Sequence, residues 1–562
     1  MNFSKRLLEL AGDYPDREII HFLKTGESDQ HLTYRALIEG AGRYQAALRS
    51  RNVLQGEVVI LILQQSIELV YAYFGTILNG SIPSIMPFLT EKLLPEKYRK
   101  DLVSLIEITQ PSAILTYRDF TDELSEIQAN NAFIKALLFS EEIETGAAVL
   151  AGTGNYPGTE RDGNDIVLLQ HSSGSTGLQK GVALTHQAVF HQLDCYSKTI
   201  RLSSRDVIVS WLPLYHDMGL IACFLMPILY NVPLEIMSPF DWVRAPHRLF
   251  QAISHYRGTL CWLPNFAYNF CAQKIRPADM EGIELSTLRA VINCSEPMRR
   301  SSHQAFLERF SQYGLQPSAI ATCYAMAENV FAVTQDGIDK AVTYDEIDQE
   351  TFQKDKIARK VFNNRPSVYQ VSAGKPIANT QVRIMDDDGR ELPDRHVGEI
   401  VIKSNCMLTG YYHREDETVN SFSEGWFKTG DLGYLAEGEL YVSGRKKDLI
   451  IVGGKNVYPQ DIEAVVNEVE GVHPGRCVAF GVFNEEKGTE DVVVIAELER
   501  DFAEKDRQVA DQIRKMVTQS TAVALRQVYL VNDFWLIKTS SGKIARAANK
   551  EKYLFETGHH AG

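Results

Sequence analysis

SSGSTGLQKG, residues 172–181, lies between the apolar run IVLL at 166–169 and the run GVALTH at 181–186. A β-type run, a tip of hydroxyls and glycines carrying one lysine, and a second β-type run describe a hairpin whose amides and hydroxyls can converge on anionic oxygens. Glycine permits close backbone approach, Ser and Thr donate hydrogen bonds, and Lys180 supplies a point charge. The stretch reads as a polyphosphate loop. It is not a Walker loop, in which Ser or Thr follows the lysine and a helix opens. Here Gly181 and a β-type run follow Lys180. A plain Ser/Gly surface turn is the alternative, and the lysine with both flanks in place argues against it.

Working outward, strand and helix alternate on the N-terminal side of this loop. EVVILIL at 57–63 is a buried-strand run, the segment from Ser66 to Gly80 has a helical pattern with a glycine stop, and SIPSIM and PSAILT are further strands. The same alternation recurs over 205–335, so a large layered α/β domain with a substantially parallel sheet is expected. Past residue 380 short β runs separated by Gly and Asp turns indicate an antiparallel β subdomain. The segment 444–562 carries its own strands and a helix near 505–519, enough for a small, mobile α+β C-terminal domain. The expected division is therefore 1–443 and 444–562, with the border at Gly444–Lys447.

The 562 residues exceed what one core accommodates, in keeping with more than one domain. A hydrophobic share of 44% with 23% charged residues is ordinary for a soluble globular protein. A net charge of -14 argues against a nucleic-acid partner, which would need a basic excess or stripe. Eight scattered cysteines without a CxxC pair indicate neither a zinc site nor a disulfide framework and suit a reducing compartment. The N-terminus lacks a signal-peptide core, and no apolar stretch approaches the ~20 residues of a membrane helix. The longest, IACFLMPILY at 221–230, reads as buried core. A cytoplasmic protein without stable membrane insertion is the expectation.

Further islands stand in a fixed order along the chain: WLPLYHDMGL at 211–220, NCSEP at 293–297, CYAMAEN at 323–329, KTGDLGYL at 428–435, GRKKDLIIVGGKNVYP at 444–459 and TSSGKI at 539–544. Together with the phosphate loop, this ordered set resembles the adenylate-forming superfamily of acyl-CoA synthetases, luciferases and peptide-synthetase adenylation domains, over nearly the whole chain. The resemblance implies that a carboxylate attacks the α-phosphate of ATP and expels pyrophosphate, with Mg²⁺ required. The site must then bring two anions together and neutralise charge at the leaving group.

The same resemblance assigns residues. Ser172, Ser173, Gly174, Ser175, Thr176, Gly177 and Lys180 would cradle phosphates, with Thr176 and Lys180 acting in catalysis. Glu328 and Thr176 would hold Mg²⁺. Asn293, Ser295 and Glu296 would border the nucleotide, Tyr324 would stack on adenine beside Ala325 and Met326, and Asp431 would accept from the ribose hydroxyls. Arg445 belongs to the same set. Lys543, on its Ser/Gly loop, is the principal catalytic residue for adenylation, and Lys447 the hinge about which the small domain turns between half-reactions. Taken singly, Glu328 reads equally as a solvated helix residue, Tyr324 as core and Asp431 as a turn former beside Gly430. Ala327 stands where many relatives have threonine, which puts one contact to the adenylate in doubt. His186 reads as structural.

Tyr215 and His216 match positions lining the acyl site of acyl-activating relatives, and Trp262, Phe266 and Tyr268 suggest an apolar wall for an alkyl chain, or core. Asp217 is one place displaced from the acidic position of amino-acid-activating relatives, which disfavours an amino-acid substrate. Residues 329–373, between Glu328 and Gly374, exceed the usual connection in acyl-CoA synthetases. An insertion here, about 336–368, is characteristic of fatty acyl-AMP ligases, where it is thought to restrain the rotation needed for transfer to CoA. Its polar sequence reads as surface structure. The family expectation is thus a fatty acyl-AMP ligase that passes a fatty acid to an acyl carrier protein in trans, the alternative being a fatty acyl-CoA synthetase.

Overall fold

A computed structural model of the protein describes residues 1–88, 95–145, 155–172, 180–362, 365–485, 487–521, 523–539 and 543–558. Its large part is built on two sheets. The first begins as a parallel array: strand Ile208–Ser210 lies between Leu234–Met237 and Leu260–Leu263, and Ala290–Asn293 and Ile320–Ala325 continue it in parallel. Glu18–Leu23 joins Leu234–Met237 in parallel, and Gln30–Thr33 closes that edge antiparallel. Beyond Ile320–Ala325 the pairing turns antiparallel through Ala332–Asp336, Ser367–Pro376, Glu439–Arg445, Trp426–Ala436, Gly398–Ser404 and Thr380–Met385. The parallel strands are buried at nearly every position, as a sheet covered on both faces requires.

The second sheet runs Gly410–Tyr411, Lys180–Thr185, Ile166–Ser172, Ile82–Ile85, Val58–Leu61, Ala113–Thr116 and Ala136–Phe139. Ile166–Ser172 and Lys180–Thr185 form the expected antiparallel hairpin, with Ser172 opposite Lys180. The tip between them, Ser173 to Gln179, lies outside the described residues. The apolar run at 221–230 is wholly inside the core apart from half-buried Tyr230: Met218–Leu225 winds as a π-helix and Met226–Tyr230 as an α-helix, with Pro227 tolerated in that helix's first turn. Among the described residues no helix is long and apolar enough to cross a membrane.

After Lys446–Asp448 the chain forms a three-stranded sheet of Val472–Asn484, Thr489–Leu498 and Leu525–Val531, with helices Pro459–Val466, Asp506–Thr521 and Arg546–Thr557. Ile450, Ile462, Val494, Ile513 and Val517 belong to its own apolar cluster. The segment after Glu328 is not the plain surface structure that its polar sequence suggested. Tyr344–Asp348 pairs with Ser367–Pro376, Gln349–Asp355 is helical, and Ile347 and Phe352 are buried in a cluster that also holds Tyr434 and Tyr458. One buried apolar residue on the short strand and one on the helix stand among charges, and their partners lie far away in sequence.

The first helix, Phe3–Asp13, is capped by Asn2, whose side chain accepts from the Lys5 amide at 2.9 Å. It docks through Phe3, which packs edge-on against His186 and Phe190. The Phe3 amide donates to His186 Nδ1 at 3.2 Å, so His186 is a structural acceptor, as expected. Burial first, and then Arg161, push its pKa down to about 3. The unfolded chain therefore binds a proton here below its ordinary titration near 6.5 that the folded chain refuses, so stability falls as pH is lowered. His186→Asn should flatten unfolding free energy against pH between about pH 4.5 and 6 by up to one proton, roughly 1.4 kcal/mol per pH unit. Denaturant melts across that range measure the slope, and an unchanged slope contradicts the assignment.

Candidate active site

Three strands meet around Asp431. Tyr324 lies on Ile320–Ala325, Asp431 on Trp426–Ala436, and Arg445 ends Glu439–Arg445, directly opposite Asp431 in the antiparallel register. The Tyr324 hydroxyl donates to Asp431 Oδ2 at 2.6 Å, and Arg445 Nε lies 3.3 Å from Oδ1. Burial, then the neighbouring carboxylate, hold the Tyr324 phenol far above its ordinary range, so it remains a donor. Asp431 in turn is the main reason the Arg445 pKa is raised. Asp431 is thus neither a turn residue nor solvated, and Tyr324 is half-buried with its hydroxyl engaged. Beside them Thr429, Gly430, Arg445, Lys446 and Lys447 line a cleft of about 370 Å³.

Glu328 sits in the tight turn Ala327–Asn329, not on a solvated helix. The next residue, Val330, is buried and has φ 63° and ψ -53°, and the Phe331 amide donates to the Asn329 carbonyl at 2.6 Å. That is a γ-turn in a conformation costly for a β-branched side chain, placed two residues beyond Glu328. The Tyr411 hydroxyl donates to Glu328 Oε1 at 3.0 Å, and burial is the first cause of the raised Glu328 pKa. The ammonium of Lys180 lies 4.7 Å over the face of the same tyrosine and pairs with Glu417. Gly410–Tyr411 reaches this place by pairing with the strand that Lys180 begins. Glu328 and Lys180 therefore sit at two sides of one aromatic ring. Tyr411 and Glu417 were not singled out from sequence, because neither belongs to a motif.

A third group comes from the far end of the chain. Lys543 Nζ donates to the Ser295 carbonyl at 2.7 Å across 248 positions of sequence. Ser295 has φ 68°, a left-handed conformation uncommon for a non-glycine residue, which makes its carbonyl an unusual backbone feature. Asp217 lies within the field of Lys543. Burial opposes its ionisation, but His216, 2.6 Å away, and then Lys543 hold its carboxyl below the ordinary range. Sequence reasoning set Asp217 aside, whereas the structure places it as the buried anion beside His216.

Several expected residues stand elsewhere. Trp262 has no exposed surface, and its indole N–H donates to the Tyr196 hydroxyl at 3.0 Å. Tyr268 is equally enclosed and donates to the Val291 carbonyl at 2.8 Å. Both are core, not a wall facing a cavity. Phe266 is exposed and meets Trp211 and Trp242 edge-on, and Tyr215 is half-buried, its hydroxyl pKa pushed up to about 12 by burial. Asn293 donates to Asn265 at 3.0 Å and lies 2.9 Å from His303 Nε2, within a buried polar cluster. Glu296 accepts from the Phe266 amide at 2.9 Å, at the start of helix Asn265–Lys274. Ala325 and Met326 continue from Tyr324 toward the γ-turn, and Lys447 lies in the turn Lys446–Asp448. Ser172 is in its strand, while Ser173, Gly174, Ser175, Thr176 and Gly177 lie outside the described residues.

Residues 8–412 match the AMP-binding enzyme family. The chain is 31% identical to the medium-chain-fatty-acid–acyl-carrier-protein ligase JamA of Moorena producens, over 98% of this chain and 94% of that one. It is 30% identical to a 4-hydroxyphenylalkanoate adenylyltransferase of Mycobacterium tuberculosis, over 99% and 91% of the two chains. A solved structure from work on fatty acyl-adenylate ligases of E. coli and L. pneumophila superposes with a TM-score of 0.89 at 28% identity, covering 100% of this chain and 98% of that one. The order of its motifs, its α/β architecture with a large N-terminal and a small C-terminal part, and these likenesses agree: the chain belongs to the AMP-binding enzyme family, as an adenylate-forming ligase.

Proposed function

We propose that the protein activates a fatty acid with ATP to a fatty acyl-adenylate and then passes the acyl group to the phosphopantetheine thiol of an acyl carrier protein. The observation that carries the first step is the seating of Lys543 against the Ser295 carbonyl, near Asp217 and His216. In this reading the carboxylate oxygen of the substrate attacks the α-phosphorus of ATP, the bond to the β-phosphate oxygen breaks, and pyrophosphate leaves with the electron pair. A compact ammonium suits the negative charge shared by the carboxylate and α-phosphate in that transition state. Asp431 takes the ribose hydroxyls, Tyr324 stacks on the base and Lys180 faces the departing phosphates. An ionised carboxylate needs no general base.

The donor set fits Mg²⁺. Glu328 offers a hard oxygen ligand, and the burial that raises its pKa is a penalty that a neighbouring dication relieves. Mg²⁺ bound there with ATP would supply charge neutralisation at the leaving phosphates. The chain's own part is to hold the Glu328 carboxylate toward them, through the γ-turn on one side and the Tyr411 hydroxyl on the other.

Preference for a carrier protein over CoA rests on how the inserted segment grips the small domain. Phe352 stacks on Tyr458 at 5.4 Å, Gln349 donates to the Ser520 carbonyl at 3.0 Å, and Asn456 donates back to the Gln353 carbonyl at 3.0 Å. Arg299 and Asp461 add an ion pair at 2.9 Å between the two parts. These contacts hold the small domain where Lys543 serves adenylation and oppose the turn about Lys447, taken here as the hinge between 1–443 and 444–562. The carrier-protein ligase JamA, similar along its length, supports the same acceptor.

Product analysis with ATP, Mg²⁺ and fatty acids of graded length, with CoA or with a holo carrier protein, tests the whole reading. Acyl-AMP should persist with CoA and be consumed with the carrier, whereas rapid conversion to acyl-CoA makes the enzyme a fatty acyl-CoA synthetase. Lys543→Ala should lower pyrophosphate exchange on the order of 100–1000-fold while sparing transfer from supplied acyl-AMP. Exchange near the wild-type rate removes Lys543 from that role. Phe352→Ala combined with Gln349→Ala should raise the ratio of acyl-CoA to acyl-AMP roughly tenfold, a shift of about 1.4 kcal/mol in the domain equilibrium. No change in that ratio would mean that the segment does not restrain the domain. Ala327→Thr should leave the adenylation rate within about tenfold of wild type, because it adds one neutral hydrogen bond at most.

A further inference from the structure

Remote from the motifs above, the edge hairpin of the larger sheet carries a histidine pair in register. His21 on Glu18–Leu23 lies directly opposite His31 on Gln30–Thr33, with ring centroids 4.4 Å apart. The parallel neighbour of His21 on its other side is Glu235, so Glu235, His21 and His31 form one row across three strands. Glu18 is three positions before His21, an odd offset that in a regular strand sends its side chain to the opposite face. A bulge between Glu18 and Ile20 turns it back. As a result Glu18 Oε2 lies 3.1 Å from His21 Nε2 and 3.3 Å from His31 Nδ1.

These hydrogen-bond distances pose a valence problem. His21 Nδ1 is 2.9 Å from Oε2 of Glu235, a carboxylate that is 2% exposed. A neutral His21 that donates Nδ1–H to this buried acceptor turns the lone pair of Nε2 toward the lone pairs of Glu18 Oε2. Two lone pairs at 3.1 Å repel unless a cation stands between them, either a second proton on His21 or a metal ion. Among the described residues, Glu18, His21 and His31 form the only group of three such side chains whose donor atoms lie within 4.8 Å of one another. Metal–nitrogen and metal–oxygen bonds of about 2.0–2.1 Å at tetrahedral angles separate ligand atoms by roughly 3.3 Å. The two distances to Glu18 match that spacing. The buried Glu235 stands where carboxylates commonly fix the tautomer of a metal-bound histidine.

We propose that Glu18, His21 and His31 form an open binding site for a divalent transition-metal ion of the Zn²⁺ class, with Glu235 as the positioning residue for His21. Two imidazoles and one carboxylate suit borderline metals and not Mg²⁺ or Ca²⁺, which prefer oxygen alone. Side chains 44% and 53% exposed at His31 and Glu18 leave the fourth position to water. The bound ion clamps the terminal strand Gln30–Thr33 to its neighbour at a sheet edge that, among the described residues, has no further strand.

The test uses the full chain, stripped with EDTA and titrated with Zn²⁺ against a chromophoric zinc indicator, with Mg²⁺ held constant. Wild type should take up one equivalent and gain thermal stability on doing so. His31→Ala, at an exposed edge position, should lose both effects. Glu235→Gln should weaken Zn²⁺ affinity by roughly 10–100-fold while keeping all three ligands. If that buried change prevents folding, Glu18→Gln, on the surface, takes its place and should weaken binding at least tenfold. Co²⁺ should give visible bands of a tetrahedral centre in wild type only. No stoichiometric uptake by wild type overturns the proposal and leaves a shared proton as the cation. Equal uptake and affinity in wild type and His31→Ala also overturns it.

Discussion

Asp431 is 8% exposed, accepts from Tyr324 and pairs with Arg445, and the candidate site is arranged about the need to balance that one charge. An isolated carboxylate at this depth would recover its proton, whereas Arg445, its side chain 53% exposed, keeps contact with water as well as with Asp431. The antiparallel register supplies Arg445 by placing it opposite Asp431, and the end of the parallel array supplies Tyr324. The carboxylate, on a strand of the antiparallel part, is thereby joined through the Tyr324 hydroxyl to the last strand of the parallel array. Arg445 is also the last residue of its strand before the turn Lys446–Asp448, so the charge balance of the site reaches directly to the start of the small domain.

The small domain is held to the large one by contacts of different physical kinds. Lys543 reaches the Ser295 carbonyl, Arg299 pairs with Asp461, and Phe352 stacks on Tyr458. The first two are polar and partly solvated, so each is weak alone. Apolar stacking is less easily replaced, since separation returns both rings to water. Within the small domain Arg546 joins Asp448 and Glu463, fixing the turn after Arg445 to the helix Pro459–Val466. Asp448, at the end of that turn, is thereby tied to the small domain.

Local chemistry and order along the chain made much of this legible in the sequence. The hairpin at 166–185 follows from two β-type flanks around a Ser/Gly tip, and the islands at 323–329, 428–435 and 539–544 led to Tyr324, Asp431 and Lys543. What sequence hid depends on long-range packing. Trp262 and Tyr268 looked like an acyl wall because aromatic residues suit both a pocket and a core, and only the hydrogen bonds to Tyr196 and Val291 decide for the core. Tyr411 and Glu417 carry no motif and become visible only once the strand Gly410–Tyr411 pairs beside Lys180. In the polar segment after Glu328, Ile347 and Phe352 are the buried minority, and their partners lie about a hundred residues away.

The strained turn at Val330 shows how these levels connect. A γ-turn at a buried valine is stable only if the surroundings over-determine it. Here the Leu408 amide donates to the Glu328 carbonyl at 2.8 Å, and the Asn329 side chain donates to the Ala332 carbonyl at 2.8 Å and accepts from the Ser404 hydroxyl at 2.5 Å. The segment 404–408 thus pins the backbone before the strained valine, and the Asn329 side chain bridges across it to Ala332. The same 404–411 segment carries Tyr411 to the Glu328 carboxylate. One stretch of chain therefore both enforces the turn and supplies the side-chain donor, so the aim of Glu328 and the cost of aiming it are set together.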